Sequence, residues 1–164
     1  MSSISILIFA YGILKGQYAY RVIKHTLYFD DLPLSFDGFT ITQISDVHAG
    51  SFTDPKAVQK GSDMINAQKS DLFVFTGDLV NNKASEIKPY INHFSQIKAP
   101  FGQFSVLGNH DYGDYMKWPS ETAKAENLQQ LKNYHKDLGF KLLLDEHIEL
   151  KKGDAKIILA GIEN

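Results

Sequence analysis

Short apolar and polar runs follow one another along this chain in a regular order. Phe39 to Ser45 follows an Asp37-Gly38 turn, is rich in β-branched residues and reads as a strand. Asp54-Pro55 marks a helix start, because Asp caps the first turn and Pro fits within it. Ala57, Val58, Gly61, Met64 and Ile65 then recur at helical spacing to about Gln68. Asp71 to Thr76 is a continuous apolar run, the pattern of a strand buried on both faces. Ile87, Tyr90, Ile91, Phe94 and Ile97 fall on one helical face, with Pro89 required to sit in the first turn. Gln103 to Leu107 reads as a third strand, Ser120 to Leu138 as a helix ended by Gly139, and Phe140 to Leu144 as a fourth strand. His147 to Leu150 and Ala155 to Ala160 flank Lys152-Gly153-Asp154 as a hairpin.

The first residues have a different pattern. Met1 to Leu14 carry no charged side chain, and Lys15, Arg21 and Lys24 come after them. A bilayer span needs about 20 apolar residues and this run is shorter. It also lacks the basic stretch that precedes the apolar part of a signal peptide. Two readings stand: a buried or interfacial helix, or the end of a membrane helix that begins outside this chain. The three cations favour a cytoplasmic side for the residues C-terminal to the apolar run. Tyr28 to Leu34 is an extended connector closed by Pro33.

The order β-α-β-α-β over residues 39–107 has a geometric consequence. Right-handed crossovers make these strands parallel, so their C-terminal ends share one edge of the sheet, where α/β folds place ligands. The segments delivered there are Ser45-Asp46-Val47-His48, Thr76-Gly77-Asp78-Leu79 and Leu107-Gly108-Asn109-His110-Asp111. Asp46 and Asp78 are 32 residues apart, and Asp78 and Asn109 are 31 apart, the length of about one 30-residue βαβ unit.

Each segment alone is ordinary turn chemistry; three in order at successive strand ends make a metal site. Asp46 and His48 are two residues apart, so on an extended strand end they project to the same side and bind one ion. Asp78 has two oxygens with which to bridge two ions, and Asn109 offers a neutral carbonyl to the second. Oxygen and imidazole donors together suit Mn, Fe or Zn and disfavour Ca. Two such ions about 3.5–4 Å apart clamp a phosphate and lower the pKa of bound water. His110 is placed to protonate a leaving alkoxide, and Asp111 to orient the His110 ring. Tyr112, Tyr115 and Trp118 either line this site or pack beneath its loop.

Composition excludes the main competitors. A length of 164 residues implies about one domain. Twelve Gly and five Pro without period, with 12% aromatic residues, exclude collagen, coiled coil and disorder. The absence of Cys removes disulfides, thiolate ligands and cysteine nucleophiles. Seventeen basic and 19 acidic residues leave no basic surplus for nucleic acid. Neither G-x-G-x-x-G nor a Walker loop follows a strand, against a plain nucleotide-binding module.

Asp46-x-His48, Gly77-Asp78 and Gly108-Asn109-His110-Asp111 resemble the motifs of the calcineurin-like metallophosphoesterases, over about residues 37–162. The resemblance implies an α/β fold of α+β sandwich type, the first half of a two-layer β-sandwich flanked by helices. It also implies a dinuclear metal centre and hydrolysis of a phosphomonoester, phosphodiester or pyrophosphate bond. It assigns Asp46 and His48 to one metal, Asp78 to the bridge, Asn109 to the other metal, and His110 to the transition state. The branch it is most similar to consists of bacterial members with N-terminal membrane segments, some acting on lipid-linked pyrophosphates. That division makes 1–36 a membrane-proximal segment and 37–164 the N-terminal part of a catalytic domain. The expected substrate is a phosphorylated small molecule or lipid-linked compound, and the expected location is at a membrane.

The family also supplies a His after a later strand and a Gly-His-x-His motif, and this chain contains neither. His25 falls in the connector, His147 opens a strand, and His93 and His135 read as solvated helix-face residues; none replaces the missing ligands. The expectations are weak binding of one metal at most, a chain that is a fragment of a larger enzyme, and an exposed, aggregation-prone face on the first sheet. The alternative is a truncated, non-catalytic product that keeps a membrane- or partner-binding role.

Overall fold

Four strands pair in parallel in a computed structural model of the chain, which describes residues 3–14 and 16–164. Strands β1 (Ile41–Ile44), β2 (Leu72–Phe75), β3 (Gln103–Ser105) and β4 (Lys141–Leu142) form one sheet in that order. Ile41 pairs with Leu72, Phe73 with Gln103, and Phe104 with Lys141. Met1, Ser2 and Lys15 lie outside the described residues, and with them the cation expected at Lys15.

Local chemistry sets the helix ends. Helix α2 (Pro55–Ala67) starts where the Asp54 carboxylate accepts the N–H groups of Lys56 at 2.9 Å and Ala57 at 3.3 Å. Helix α4 (Glu121–Asp137) starts where Ser120 Oγ accepts the Ala123 N–H at 3.1 Å. It ends at Gly139, whose φ of +77° turns the chain into β4.

The two faces of the sheet bury different partners. Phe73 and Phe75 pack with Val58 of α2, Leu131 of α4, Leu138 and Phe140. Leu72 and Phe104 face the other way, into a cluster with Phe36, Leu143 and Leu150. That second face corrects the expectation of an exposed sheet. The hairpin of β5 (Glu146–Lys152) and β6 (Ala155–Gly161) is antiparallel, and it turns Ile148, Leu150, Ile157 and Leu159 onto Leu72 and Phe104. Alternation supplies the reason, because every second hairpin residue is apolar and needs a partner surface. Only the edge strand β1 keeps a large apolar residue open on this side, Ile41, at 54% exposure.

Two sequence expectations fail for identifiable reasons. The segment 87–97 is not one helix. Two 3₁₀ turns, Ala84–Glu86 and Lys88–Tyr90, precede a single turn of helix α3 (Ile91–Phe94). Pro89 has no N–H to give a longer helix, and a 3₁₀ turn still places residues three apart on one face. Ile87, Tyr90, Phe94 and Ile97 are accordingly buried. The two helix histidines are not solvated either. His135 is fully buried, with Nδ1 2.9 Å from Ser105 Oγ and no partner for Nε2, and burial lowers its pKa to about 4. His93 is half-buried beside the Tyr90 ring, with a buried Nδ1 that has no hydrogen-bond partner. His25 and His147 are exposed.

Helix α1 (Ser3–Leu14) exposes Ile6, Ile8, Phe9 and Tyr11. Among the described residues no helix is long and apolar enough to cross a membrane. The connector after it is tied to the domain by Tyr18, whose hydroxyl oxygen accepts the N–H of Thr53 at 2.7 Å and of Asp54 at 3.1 Å.

Candidate metal centre

The loops that follow β1, β2 and β3 meet at one edge of the sheet. The first two continue pairing beyond their strands: the N–H groups of Asp46, His48 and Ala49 donate to the carbonyls of Gly77, Asp78 and Leu79, each at 3.0 Å. Asp46, His48 and Asp78 all have left-handed backbones, with φ of +55°, +44° and +60°. For a residue with a Cβ such a conformation costs of order 1–3 kcal/mol and persists only where surrounding structure enforces it. Strand alternation is therefore not what brings Asp46 and His48 together. β1 ends at Ile44, and two left-handed residues turn the side chains toward each other.

His48 is the hub. Its Nε2 lies 3.8 Å from Asp46 Oδ1 and 3.8 Å from Asp78 Oδ2. His48, Asp78 and His110 each offer one ligand atom, all within 4.8 Å of one another. A spacing of 3.8 Å is too long for a hydrogen bond. With bonds of about 2.1 Å the donor-to-donor edge around a tetrahedral cation is about 3.4 Å, so a small inward shift of these side chains would bring them to ligating distance. Carboxylate oxygen and imidazole nitrogen are donor types that suit a divalent metal ion, and Asp46 stands beside His48 and Asp78.

The remaining hydrogen bonds fix how each group presents itself. Asp78 Oδ1 accepts the His110 N–H at 2.9 Å, so Oδ2 is the oxygen that faces His48. His110 Nδ1 lies 2.9 Å from the Asn81 carbonyl oxygen. A carbonyl can only accept, so Nδ1 carries the proton of that hydrogen bond and Nε2 is the nitrogen left for other partners. The His110 ring stands edge-on to His48, with centroids 4.7 Å apart.

Asp111 does something other than orient that ring. Fully buried, its carboxylate accepts four backbone N–H groups: Asp78 at 3.0 Å and Gly108 at 3.0 Å on one oxygen, Leu79 at 2.8 Å and Val80 at 3.2 Å on the other. Burial pushes its pKa up to about 6 against the pull of those donors. It clamps the second and third loops together, and Asn81 takes the part expected of it at His110.

The five residues Asp46, His48, Asp78, Asn109 and His110 thus share one edge. Asp46, Asp78 and Asn109 line an open cleft of about 340 Å³, together with Thr76, Gly108 and Glu163. Sequence reasoning missed Asn81, because its contribution is a main-chain carbonyl and leaves no signature. Of the three aromatic residues left open, Tyr115 joins the site: it stacks on His110, centroids 4.4 Å apart, and its hydroxyl oxygen accepts the Asn109 amide at 2.6 Å. Tyr112 packs against the core, and Trp118 donates to the Gly113 carbonyl beneath the loop.

Comparison with known proteins places the chain in a family. A family model described as calcineurin-like phosphoesterase matches residues 39–161. An uncharacterized metallophosphoesterase of Bacillus subtilis, YkuE, is 36% identical over 94 residues, covering 56% of this chain and 33% of its own length. The UDP-2,3-diacylglucosamine pyrophosphatase LpxG of Chlamydia trachomatis is 39% identical over 90 residues, or 52% of this chain and 27% of its own length. A transmembrane protein with metallophosphoesterase domain from Danio rerio is 26% identical over 157 residues, or 94% of this chain and 33% of its own length. The chain thus spans about a third or less of the length of these three relatives.

Proposed function

We propose that this chain, which belongs to the calcineurin-like phosphoesterase family, carries the first ligand segments of a metal-dependent phosphoester hydrolase. The observation that supports the reading is the convergence of His48, Asp78 and His110 within 4.8 Å from three separate strand ends.

In this reading Asp46, His48 and Asp78 hold one divalent ion, of Mn, Fe or Zn, and Asp78 with Asn109 holds part of a second. A cation bound there supplies Lewis-acid charge to the phosphoryl oxygens. The protein's own residues do the rest. His110 keeps its Nδ1 proton on the Asn81 carbonyl, which leaves Nε2 to deliver a proton to the leaving oxygen. Asp111 holds the Asp78 and Gly108 main chains in register, so that Asp78 and Asn109 keep their separation.

Asp78 and Asn109 alone are too few donors for the second ion. The reading therefore takes further ligands from outside these 164 residues, in keeping with the small share of its relatives that the chain spans. A phosphorylated small molecule or a lipid-linked pyrophosphate is the substrate class it favours, the latter supported by the 39% identity to a named pyrophosphatase. The exposed apolar side chains of α1 support membrane association.

The test is hydrolysis of 4-nitrophenyl phosphate and of bis(4-nitrophenyl) phosphate with added Mn²⁺, run beside calorimetric Mn²⁺ binding. The chain is expected to bind one ion weakly and to turn over slowly, and Asp78→Ala to lose both. Hydrolysis or binding that ignores Asp78→Ala overturns the assignment. Two tightly held ions with full turnover would overturn the need for outside ligands.

A further inference from the structure

Two residues of the third segment must present fixed atoms for the proposed site to work. Asn109 must turn its carbonyl oxygen to a cation, and His110 must hold its ring in one plane. Neither is fixed by its own backbone alone. Asn109 is exposed at the cleft, and an amide of that kind rotates freely unless one end is held. His110 is fixed at Nδ1 by Asn81, but one hydrogen bond leaves the ring free to tilt about it.

Tyr115 addresses both. Its ring lies nearly parallel to that of His110, 23° apart with centroids at 4.4 Å, on a different ring contact from the edge-on His48. Its hydroxyl oxygen accepts a proton from Asn109 Nδ2 at 2.6 Å. With the nitrogen end of the amide held, the Oδ1 end is the one left for a cation. Tyr115 is itself 61% exposed, so core packing does not explain its placement. A side chain with only two rotatable angles holds such a pose at low entropic cost.

We infer that Tyr115 is the positioning residue of this site, setting the amide of Asn109 and the ring of His110 together through its hydroxyl and its face. The inference rests on the phosphoesterase reading for its purpose, but its geometry is testable without metal.

Two variants separate the two contacts: Tyr115→Phe removes the hydroxyl and keeps the ring, and Tyr115→Leu removes both. On the metal-free 164-residue chain at fixed pH, NMR reads the His110 ring protons and the Asn109 side-chain amide. Tyr115→Phe is expected to move the Asn109 amide resonance and leave the ring-current shift of His110 in place. Tyr115→Leu is expected to abolish both, with an unchanged urea midpoint in either variant. Calorimetric Mn²⁺ binding, which in the proposed reading uses Asp46, His48 and Asp78, is expected to be the same in both variants, because Tyr115 contacts none of these three. His110 and Asn109 resonances that do not respond to Tyr115→Leu overturn the inference. If the unaltered chain binds no Mn²⁺, the metal reading falls, and the resonances still decide what Tyr115 holds.

Discussion

A Cβ placed on Gly77 would stand 2.5 Å from the main-chain nitrogen of Gly108. The converse contact is as close: a Cβ on Gly108 would run into Asp78 Oδ1 and would stand 2.5 Å from Asp78 N. The glycines of the second and third segments are therefore two sides of one contact, in which neither loop has room for a side chain on the other. Gly77 needs its glycine twice over, since its φ is +102°. Gly108 has an ordinary φ of −98° and is glycine for the close approach alone.

Gly108→Ala is thus a clean probe of loop contact. It is expected to push Asp78 off its position and to destabilise the chain by about 1–3 kcal/mol, the range of overpacking in a site with little room to relax. Urea denaturation measures the loss. A chain as stable as the original with Ala at 108 would contradict the contact.

Asp111→Asn tests the clamp. An amide has one accepting oxygen, so its NH₂ would confront the N–H groups on one side of the carboxylate, Asp78 and Gly108 or Leu79 and Val80. Unmet buried donors cost about 1–3 kcal/mol each. The expected result is a loss of at least about 2 kcal/mol at pH 7, read from the urea midpoint, with the fold retained in far-ultraviolet dichroism.

His135 gives the pH dependence a definite sign. Its folded pKa of about 4 lies below the ordinary 6.5, so the unfolded chain binds its proton first as pH falls. The stability tied to neutral His135 is complete above pH 6.5 and is lost on descending toward pH 4, by about 3 kcal/mol at most. Asp111 works in the opposite sense over most of this range. Its pKa is raised from 3.8 to about 6, so its ionisation weakens the fold as pH climbs between those values. The two offset each other in the original chain. Replacing both members of the buried pair, Ser105→Ala with His135→Leu, removes one of them. The double variant is expected to gain stability relative to the original as pH is lowered from 7 to 4.5. Parallel pH profiles would show that His135 does not titrate in this way.

Metal itself should act as a stabiliser. At a concentration 100 times its dissociation constant, a ligand bound only by the folded chain adds about 2.7 kcal/mol, or about 5–10 °C in Tm for a domain of this size. Mn²⁺ is expected to give such a shift, and His48→Ala to abolish it. Ca²⁺, which takes six to eight oxygen ligands, should give little shift from the set of Asp46, His48 and Asp78, which is short of oxygens and includes an imidazole.

Much of the fold was legible because its signals are local. Asp54 with Pro55, and Ser120 with Gly139, mark their helix ends through contacts within a few residues. The three ligand segments were legible for a related reason: strand order forces each onto the same edge. The features that stayed hidden depend on distant partners. The helical spacing around His135 says nothing of Ser105, 30 residues earlier. Asp111 looks like a neighbour of His110 in sequence, yet its contacts are mostly with residues 78–80. The left-handed turns at Asp46 and His48 could not be read either, because short polar residues permit that conformation without requiring it.

The Asp111 clamp also bears on how the site opens. Its bonds to Asp78, Leu79 and Val80 span 33, 32 and 31 residues, so no helix or hairpin can form them on its own. They exist only while β2 and β3 are paired. The amide protons of Asp78, Leu79 and Val80 should therefore exchange with solvent only through openings that part these two strands, at the slow limit set by unfolding of the whole sheet. Such a site has no private breathing motion: it survives intact or is lost along with the sheet beneath it.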